Sequence, residues 1–272
     1  MPSHREALQT FSAVVLTGGS SGIGKSIIEL AAKLNPDLRF CNLSRTTPII
    51  NNAQLKLCHI PCDLGDATAV AGAAGEVEAF LKREVPAGRV LLINNSGFGS
   101  YGYFPEPNLA HQLEILDVNI RGLVQLTGLL LPTLRTRGGV VVNVASTAAF
   151  QPTPYMATYG ASKAFVLHWS VALNEELRKT GVSTLALCPG PTATQFFRRA
   201  GLKERTVADS LSMNCEDVVN QLFDGLARRE KIVVTGWKNK LSAIAGALAP
   251  KVLATSFAAK VIGRYRLRQV SR

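Results

Sequence analysis

A short apolar run, Val14-Val15-Leu16, ends directly in Thr17-Gly18-Gly19-Ser20-Ser21-Gly22-Ile23-Gly24, and a helix-period pattern follows at once. This order of strand, glycine turn and helix constrains the chain more than any other feature. Such a turn lets backbone N–H groups approach an anion with no Cβ in the way, and the helix that opens there offers its unsatisfied N–H groups and the positive end of its dipole. A pyrophosphate is the group it suits. The spacing is G-x-x-x-G-x-G and not the G-x-G-x-x-G of the familiar dinucleotide fingerprint. A glycine cluster without the flanking strand and helix would be only a tight turn.

Apolar runs alternate with helical patterns from end to end, the arrangement of a parallel sheet covered on both faces. Strands are predicted at Ala13–Thr17, Leu38–Leu43, Leu55–Ile60, Arg89–Asn94, Gly139–Val144, Ser183–Cys188 and Ile232–Thr235. Helices are predicted at Gly22–Leu34, Ala67–Lys82, Leu109–Leu134, Tyr155–Lys179 and Cys215–Arg228. The expected class is α/β, a single doubly wound, Rossmann-type parallel sheet of about seven strands with helices on both faces. Hydrophobic content of 47% in 272 residues is ample for a core, and no linker, low-complexity tract or solenoid-length repeat divides the chain. We place the sheet domain at residues 1–236 and a basic helical extension at 237–272. The stretch from Phe196 to Met213, after Pro189-Gly190, has no clear period, and a connection of that length is more often a lid than filler. Ligands of such sheets sit beyond the C-terminal strand ends, where Thr17, Gly18, Ser44, Arg45, Asp63, Asn94, Ser146 and Pro189 fall.

The formal charge of +11 is unevenly placed: residues 228–272 carry a net +10, and everything before them +1. Within that segment Leu241 to Ala259 holds one charge, Lys251, and is interrupted by Pro250. A membrane-spanning helix fits poorly, with Pro and Lys near the middle of a barely sufficient run. Two readings stand: helices that cover the sheet edge with a solvated basic face, or an interfacial segment whose stripe of Leu241, Ile244, Ala245, Leu248 and Val252 meets anionic lipid. The N-terminus lacks an apolar signal-peptide core, so the cytoplasm is the expected compartment, peripheral to a membrane if the second reading holds. Cys41, Cys58, Cys62, Cys188 and Cys215 form no C-x-x-C pair and read as reduced core residues. His4, His59, His111 and His168 are scattered, and no metal site is expected.

Tyr159-Gly-Ala-Ser-Lys163 sets a phenol and an ammonium four residues apart, one face of a helix. A free phenol has a pKa of about 10, and a cation within reach stabilises the phenolate and lowers it. Alone, this spacing usually marks a surface pair. Together with the nucleotide turn it supplies an acid for carbonyl reduction, which needs a hydride donor, a group that polarises the oxygen and a proton source. Ser146, ending the fifth strand, would hydrogen-bond the substrate oxygen. Asn119, an unfavourable residue in a helix interior, could hold a water linking Lys163 to solvent. Taken singly, Ser146 is also a turn serine and Asn119 a surface residue.

On these residues the chain resembles the short-chain dehydrogenase/reductase family, from about Ala13 to Ala227. The family's T-G-x-x-x-G-x-G is met by Thr17 to Gly24, and its N-N-A-G by Asn94-Asn95-Ser96-Gly97 with Ser for Ala. Its Asn, Ser, Tyr, Lys tetrad falls on Asn119, Ser146, Tyr159 and Lys163, at the family's intervals of 27 and 13 residues. Pro189-Gly190-Pro191-Thr192-Ala193-Thr194 resembles the family's nicotinamide site, and Asp63-Leu64 the pair placed against adenine. The resemblance implies cofactor contacts at Thr17, Gly18, Ser20, Ser21, Gly22, Ile23 and Gly24. It implies further contacts at Ser44, Arg45, Asp63, Leu64, Asn95, Gly97, Tyr159, Lys163, Pro189, Gly190, Thr192 and Thr194. It also implies a homodimer or homotetramer formed through Leu109–Leu134 and Tyr155–Lys179.

Cofactor choice has a physical argument of its own. An NAD-preferring chain carries an acidic residue at the end of the second strand, where this one has Ser44 and Arg45. A hydroxyl and a guanidinium suit a phosphate dianion, so NADP(H) is expected, with the cellular pool favouring reduction. Phe98, Tyr101, Phe104, Phe150, Met156, Phe196 and Phe197 are expected near the mouth, which suggests an apolar pocket, although each could equally be core. With the basic C-terminal segment this points to a lipophilic ketone or aldehyde met at a membrane surface. The alternatives are a non-catalytic NADP(H)-binding sensor or scaffold, or an NAD-linked alcohol dehydrogenase. Nucleic-acid binding has only the basic tail behind it and no recognised module.

Overall fold

The computed structural model describes residues 3–194, 196, 200 and 212–270, with side chains to residue 263. Its strands are β1 (Phe11–Thr17), β2 (Arg39–Ser44), β3 (Lys56–Pro61), β4 (Arg89–Asn94), β5 (Gly139–Val144), β6 (Val182–Cys188) and β7 (Ile232–Val234). All pair in parallel, in the order β3-β2-β1-β4-β5-β6-β7. This is the doubly wound α/β fold that the alternating pattern predicts.

Strand periodicity accounts for the two cores. In β1, Ala13 and Val15 point to one face and Val14 and Leu16 to the other; in β4, Val90 and Leu92 oppose Leu91 and Ile93. Both faces are therefore apolar, as a parallel sheet requires. One is covered by α3 (Ala67–Glu84), α5 (Leu123–Arg137) and α6 (Ala157–Glu176) through Val77, Leu130 and Leu173. The other is covered by α1 (His4–Gln9), α2 (Gly22–Leu34) and α7 (Cys215–Ala227) through Leu8, Ile27 and Phe223.

Several boundaries differ from expectation, each for a local reason. The helix predicted over Leu109–Leu134 runs as α4 (Leu109–Leu116), a π turn over Asp117–Gly122, and α5, which continues past Pro132 to Arg137. The helix predicted from Tyr155 starts at Ala157, because Tyr155 has φ of 64°, which a right-handed helix cannot contain. Helix α1 was not visible in periodicity, since six residues are too few; a capping box between Ser3 and Glu6 holds it. Most of the expected lid between Phe196 and Met213, and Phe197 with it, lies outside the described residues.

The C-terminal segment forms α8 (Trp237–Leu248) and α9 (Lys251–Val270), separated at Ala249-Pro250. Helix α8 turns Ala243 and Gly246 inward, and packs against β7 and a short 3-10 turn at Thr147–Phe150.

Candidate active site

The order of strand addition reverses between β1 and β4: the strands after β1 build outward to β3, and the chain then returns to start β4, still parallel, on the other side of β1. Loops leaving β1 and β4 therefore part, and a crevice opens at their C-terminal ends. A cavity of about 540 Å³ occupies it. Its floor is the glycine turn, where Gly18 has φ of +72° and a Cβ would stand 2.6 Å from Ser96 Oγ. A side chain there would be strained by the left-handed backbone and would have to displace the Ser96 hydroxyl. Thr17 and Asn95 brace this turn: Thr17 Oγ accepts from the N–H groups of Asn95 (3.0 Å) and Ser96 (2.9 Å), and Asn95 Nδ2 donates to the Thr17 carbonyl at 2.9 Å.

Ser21 occupies the N-cap of α2, yet its side chain makes no capping bond and the first turn holds no acidic residue. Most helices fill this position with a capping oxygen. Ser21, Gly22 and Ile23 line the cavity, so the dipole end of α2 lies at it, with no capping bond from Ser21, which is the provision a pyrophosphate needs. The residues present thus fit a dinucleotide.

The far wall carries the candidate reactive groups. Tyr159 and Lys163 lie one turn apart on α6, both buried, with Lys163 Nζ 6.0 Å from the Tyr159 ring centre. Lys163 Nζ donates to the Val144 carbonyl at 2.7 Å. Burial pulls its pKa from 10.5 down to about 8, with a smaller upward influence from Cys188. Ser146 Oγ accepts from Ala148 N–H at 3.1 Å, which uses a lone pair and leaves the hydroxyl proton to donate elsewhere. Ser146 is thus both the turn cap and a cavity-lining hydroxyl.

Asn119 is fully buried in the π turn. Its Oδ1 accepts from Phe98 N–H at 3.1 Å, and its Nδ2 donates to the Phe98 carbonyl and to Ser162 Oγ, each at 3.0 Å. It therefore clamps the loop after β4 to the helix that bears Tyr159 and Lys163. Gly97 threads between these groups, where a Cβ would lie 3.0 Å from both Asn119 Oδ1 and Lys163 Nζ.

Of the residues singled out in the sequence, Gly18, Ser20, Ser21, Gly22, Ile23, Ser44, Arg45, Asp63 and Leu64 line the cavity on the turn side. Asn95, Gly97, Ser146, Tyr159, Lys163, Pro189, Gly190, Thr192 and Thr194 line the remainder. Thr17, Gly24 and Asn119 stand one layer behind. Phe98, Met156 and Phe196 line the cavity as apolar wall; Tyr101 is buried beside Met156 and Tyr159, whereas Phe104 is exposed.

Sequence reading missed Asn42. Buried on β2, its Oδ1 accepts from Gly19 N–H at 2.7 Å and its Nδ2 donates to Ser44 Oγ at 2.8 Å, tying the glycine turn to the end of β2. An Asn between Cys41 and Leu43 in an apolar strand was the available signal. Ser44 donates its own proton to the Thr46 carbonyl at 2.7 Å, so the group on this rim with N–H donors to offer is Arg45. Arg45 is 63% exposed and stands 3.8 Å from both Asp63 and Glu114 carboxylates, loose pairs that a stronger anion would displace.

All five cysteines are free thiols. Burial pushes Cys188 up to about 12 and Cys62 to about 11, so neither supplies a thiolate nucleophile near neutrality. Among the described residues no three His, Cys, Asp or Glu side chains converge as metal ligands.

The Lys163 shift has a testable sign. Unfolded Lys163 keeps its proton to about pH 10.5, whereas the folded one releases it near 8. Over that window the unfolded state binds more protons, and stability rises with pH. Urea unfolding from pH 7.5 to 10.5 (roughly the bounds of that window) should show the wild type gaining on Lys163→Met. A constant difference would place the ammonium in solvent.

A doubly wound sheet whose crevice joins an anion-ready helix N-terminus to a buried Tyr–Lys pair and a serine hydroxyl defines a nucleotide-dependent oxidoreductase. The particular family follows from sequence: the short chain dehydrogenase model matches residues 12–205, and the chain belongs to that family. Ketoacyl reductase HetN of Nostoc sp. is 31% identical over 66% of this chain; the match spans 63% of that relative, under two thirds of its length. Sulfoacetaldehyde reductase 2 of Chromohalobacter salexigens is 30% identical over 77% of this chain and 86% of its own. A short-chain dehydrogenase from Sphingobium yanoikuyae, solved with NADPH, superposes with a TM-score of 0.71 at 27% identity, covering 86% of this chain and 92% of that one. One from Burkholderia phymatum, solved with NAD, gives 0.73 at 19% identity over 86% and 92%, a likeness of fold.

Proposed function

We propose that this protein reduces a lipophilic ketone or aldehyde to the alcohol with NADPH. The observation that carries this reading is the shared cavity, in which Tyr159 and Lys163, buried on one face of α6, stand in the same crevice as the uncapped N-terminus of α2. When bound, the nicotinamide would supply hydride to the carbonyl carbon. The glycine turn and the α2 N–H groups would hold the pyrophosphate, with Pro189, Gly190, Thr192 and Thr194 on the carboxamide side. Ser146 would donate to the carbonyl oxygen and fix its position. Tyr159 would transfer its proton to that oxygen as charge develops, and the Lys163 ammonium would stabilise the phenolate left behind.

Asn119 serves this chemistry as a positioning residue, since its amide is engaged by Phe98 and Ser162. Any water it holds for Lys163 would sit on its main-chain carbonyl, which a π turn releases from the regular pattern.

Arg45 supports NADPH over NADH, because a guanidinium is the natural partner of a 2′-phosphate. Phe98, Met156 and Phe196 support an apolar substrate. Exposed Leu109, Leu113, Leu129 and Phe165 on α4 to α6 support pairing of two copies across those helices. Free cysteines suit the reducing cytoplasm.

The test is direct. Purified protein given NADPH and a panel of medium- and long-chain aldehydes and aromatic ketones should oxidise the cofactor in proportion to carbonyl consumed. Tight NADPH binding without turnover across the panel would instead mark a sensor, and oxidation of an alcohol with reduction of NAD+, without activity toward NADP(H), would mark an NAD-linked dehydrogenase.

A further inference from the structure

Resting on the reductase reading of the cleft, we propose that α8 and α9 seat the protein on an anionic lipid surface, from which the cleft takes its substrate. Helix α8 turns Ala243 and Gly246 inward and presents Trp237, Leu241, Ile244 and Leu248 outward. At about 100° per residue these four fall within about 60° of one another. They are open to solvent, Trp237 at 69% and Leu248 at 80%. Exposed Lys238 and Lys240 flank this ridge, about 100° to one side and about 60° to the other, the disposition of a helix that lies in a headgroup layer.

Helix α9 repeats the design. Ala254 and Ala258 are buried, while Leu253, Phe257 and Val261 form an outward ridge at intervals of four, with Phe257 71% exposed. Lys260 is exposed beside it, whereas Lys251, at the start of the helix, donates to the Phe150 and Gly246 carbonyls at 3.4 and 3.5 Å. Single exposed apolar residues are ordinary on any protein; eight large ones between Trp237 and Val261 make a surface that awaits a partner.

Charge chooses the partner. The segment from residue 228 to 272 carries a net +10, which an anionic bilayer attracts. A second copy docking on the same face would bring two such segments together. Nucleic acid would meet the lysines but leave the apolar ridges in water.

The same helices wall the cleft. Ser242 of α8 and Val261 and Ile262 of α9 line it, and Val261 belongs both to the exposed ridge and to the cavity. A lipophilic carbonyl leaving the bilayer beside that ridge would thus enter the cleft along apolar side chains.

Full-length protein sedimented with vesicles of phosphatidylcholine and phosphatidylserine should pellet, more weakly at high salt, and should stay in solution with phosphatidylcholine alone. The double variant Leu248→Ser, Phe257→Ser should lose partitioning by about tenfold or more, because both side chains would leave the acyl boundary. NADPH oxidation with a soluble aldehyde should be unchanged in that variant, since neither residue lines the cleft. Absence of vesicle binding, or equal binding by wild type and variant, would overturn the docking proposal whatever the enzyme assay shows. A wild type that is dimeric in light scattering, ignores vesicles and becomes monomeric in the variant would assign the face to a second copy and overturn it too. Vesicle binding without any turnover would instead remove the reductase reading.

Discussion

Tyr159→Phe is expected to lower carbonyl turnover by about 10²- to 10⁴-fold, the range a positioned general acid supplies. The substitution removes one oxygen from a ring that packs against Phe196 with centroids 5.1 Å apart, so the ring should keep its place. NADPH affinity should change by no more than about tenfold, the worth of one hydrogen bond. The measurements are steady-state NADPH oxidation and equilibrium cofactor binding on the same preparation. A large loss in turnover with binding retained assigns the proton to Tyr159. Unaltered turnover would remove Tyr159 as the acid, and with it the mechanistic use of Lys163.

The second large effect is expected in cofactor choice. Arg45→Glu should lower kcat/KM for NADPH by about 10²-fold or more, through a lost charge-assisted contact and a new repulsion. NADH, which lacks the 2′-phosphate, should be used at least as well as by the wild type, because a carboxylate at this rim can accept from both ribose hydroxyls. Arg45 makes only loose 3.8 Å pairs with Asp63 and Glu114, so the fold should not depend on it. The readout is the ratio of the two kcat/KM values. An unchanged ratio would place the 2′-position away from Arg45 and reopen the choice between NAD and NADP.

Much of the fold was legible because both faces of each strand are buried, so the apolar runs stand out, and because glycine and proline punctuate them. Strands β4 and β5 and helix α2 match their predicted bounds residue for residue. The π turn was not legible, since it changes the backbone hydrogen-bond pattern without changing the apolar spacing. Nor was the start of α6, where the left-handed Tyr155 overrides a helical pattern. Asn42 escaped because its importance lies in contacts made across 23 residues to Gly19, which no local period records.

By itself the sequence determined the sheet, the placement of its C-terminal strand ends and which side chains are candidates for the site, because spacing and residue chemistry are local properties. The tertiary structure alone decided how those groups cooperate. It buried Lys163 beneath Val144 and lowered its pKa, turned Asn119 into a clamp on Phe98, and brought Val261 from the far end of the chain to the wall of the cleft. Desolvation, hydrogen-bond partnership and apposition depend on which distant segments meet, and only the folded chain sets that.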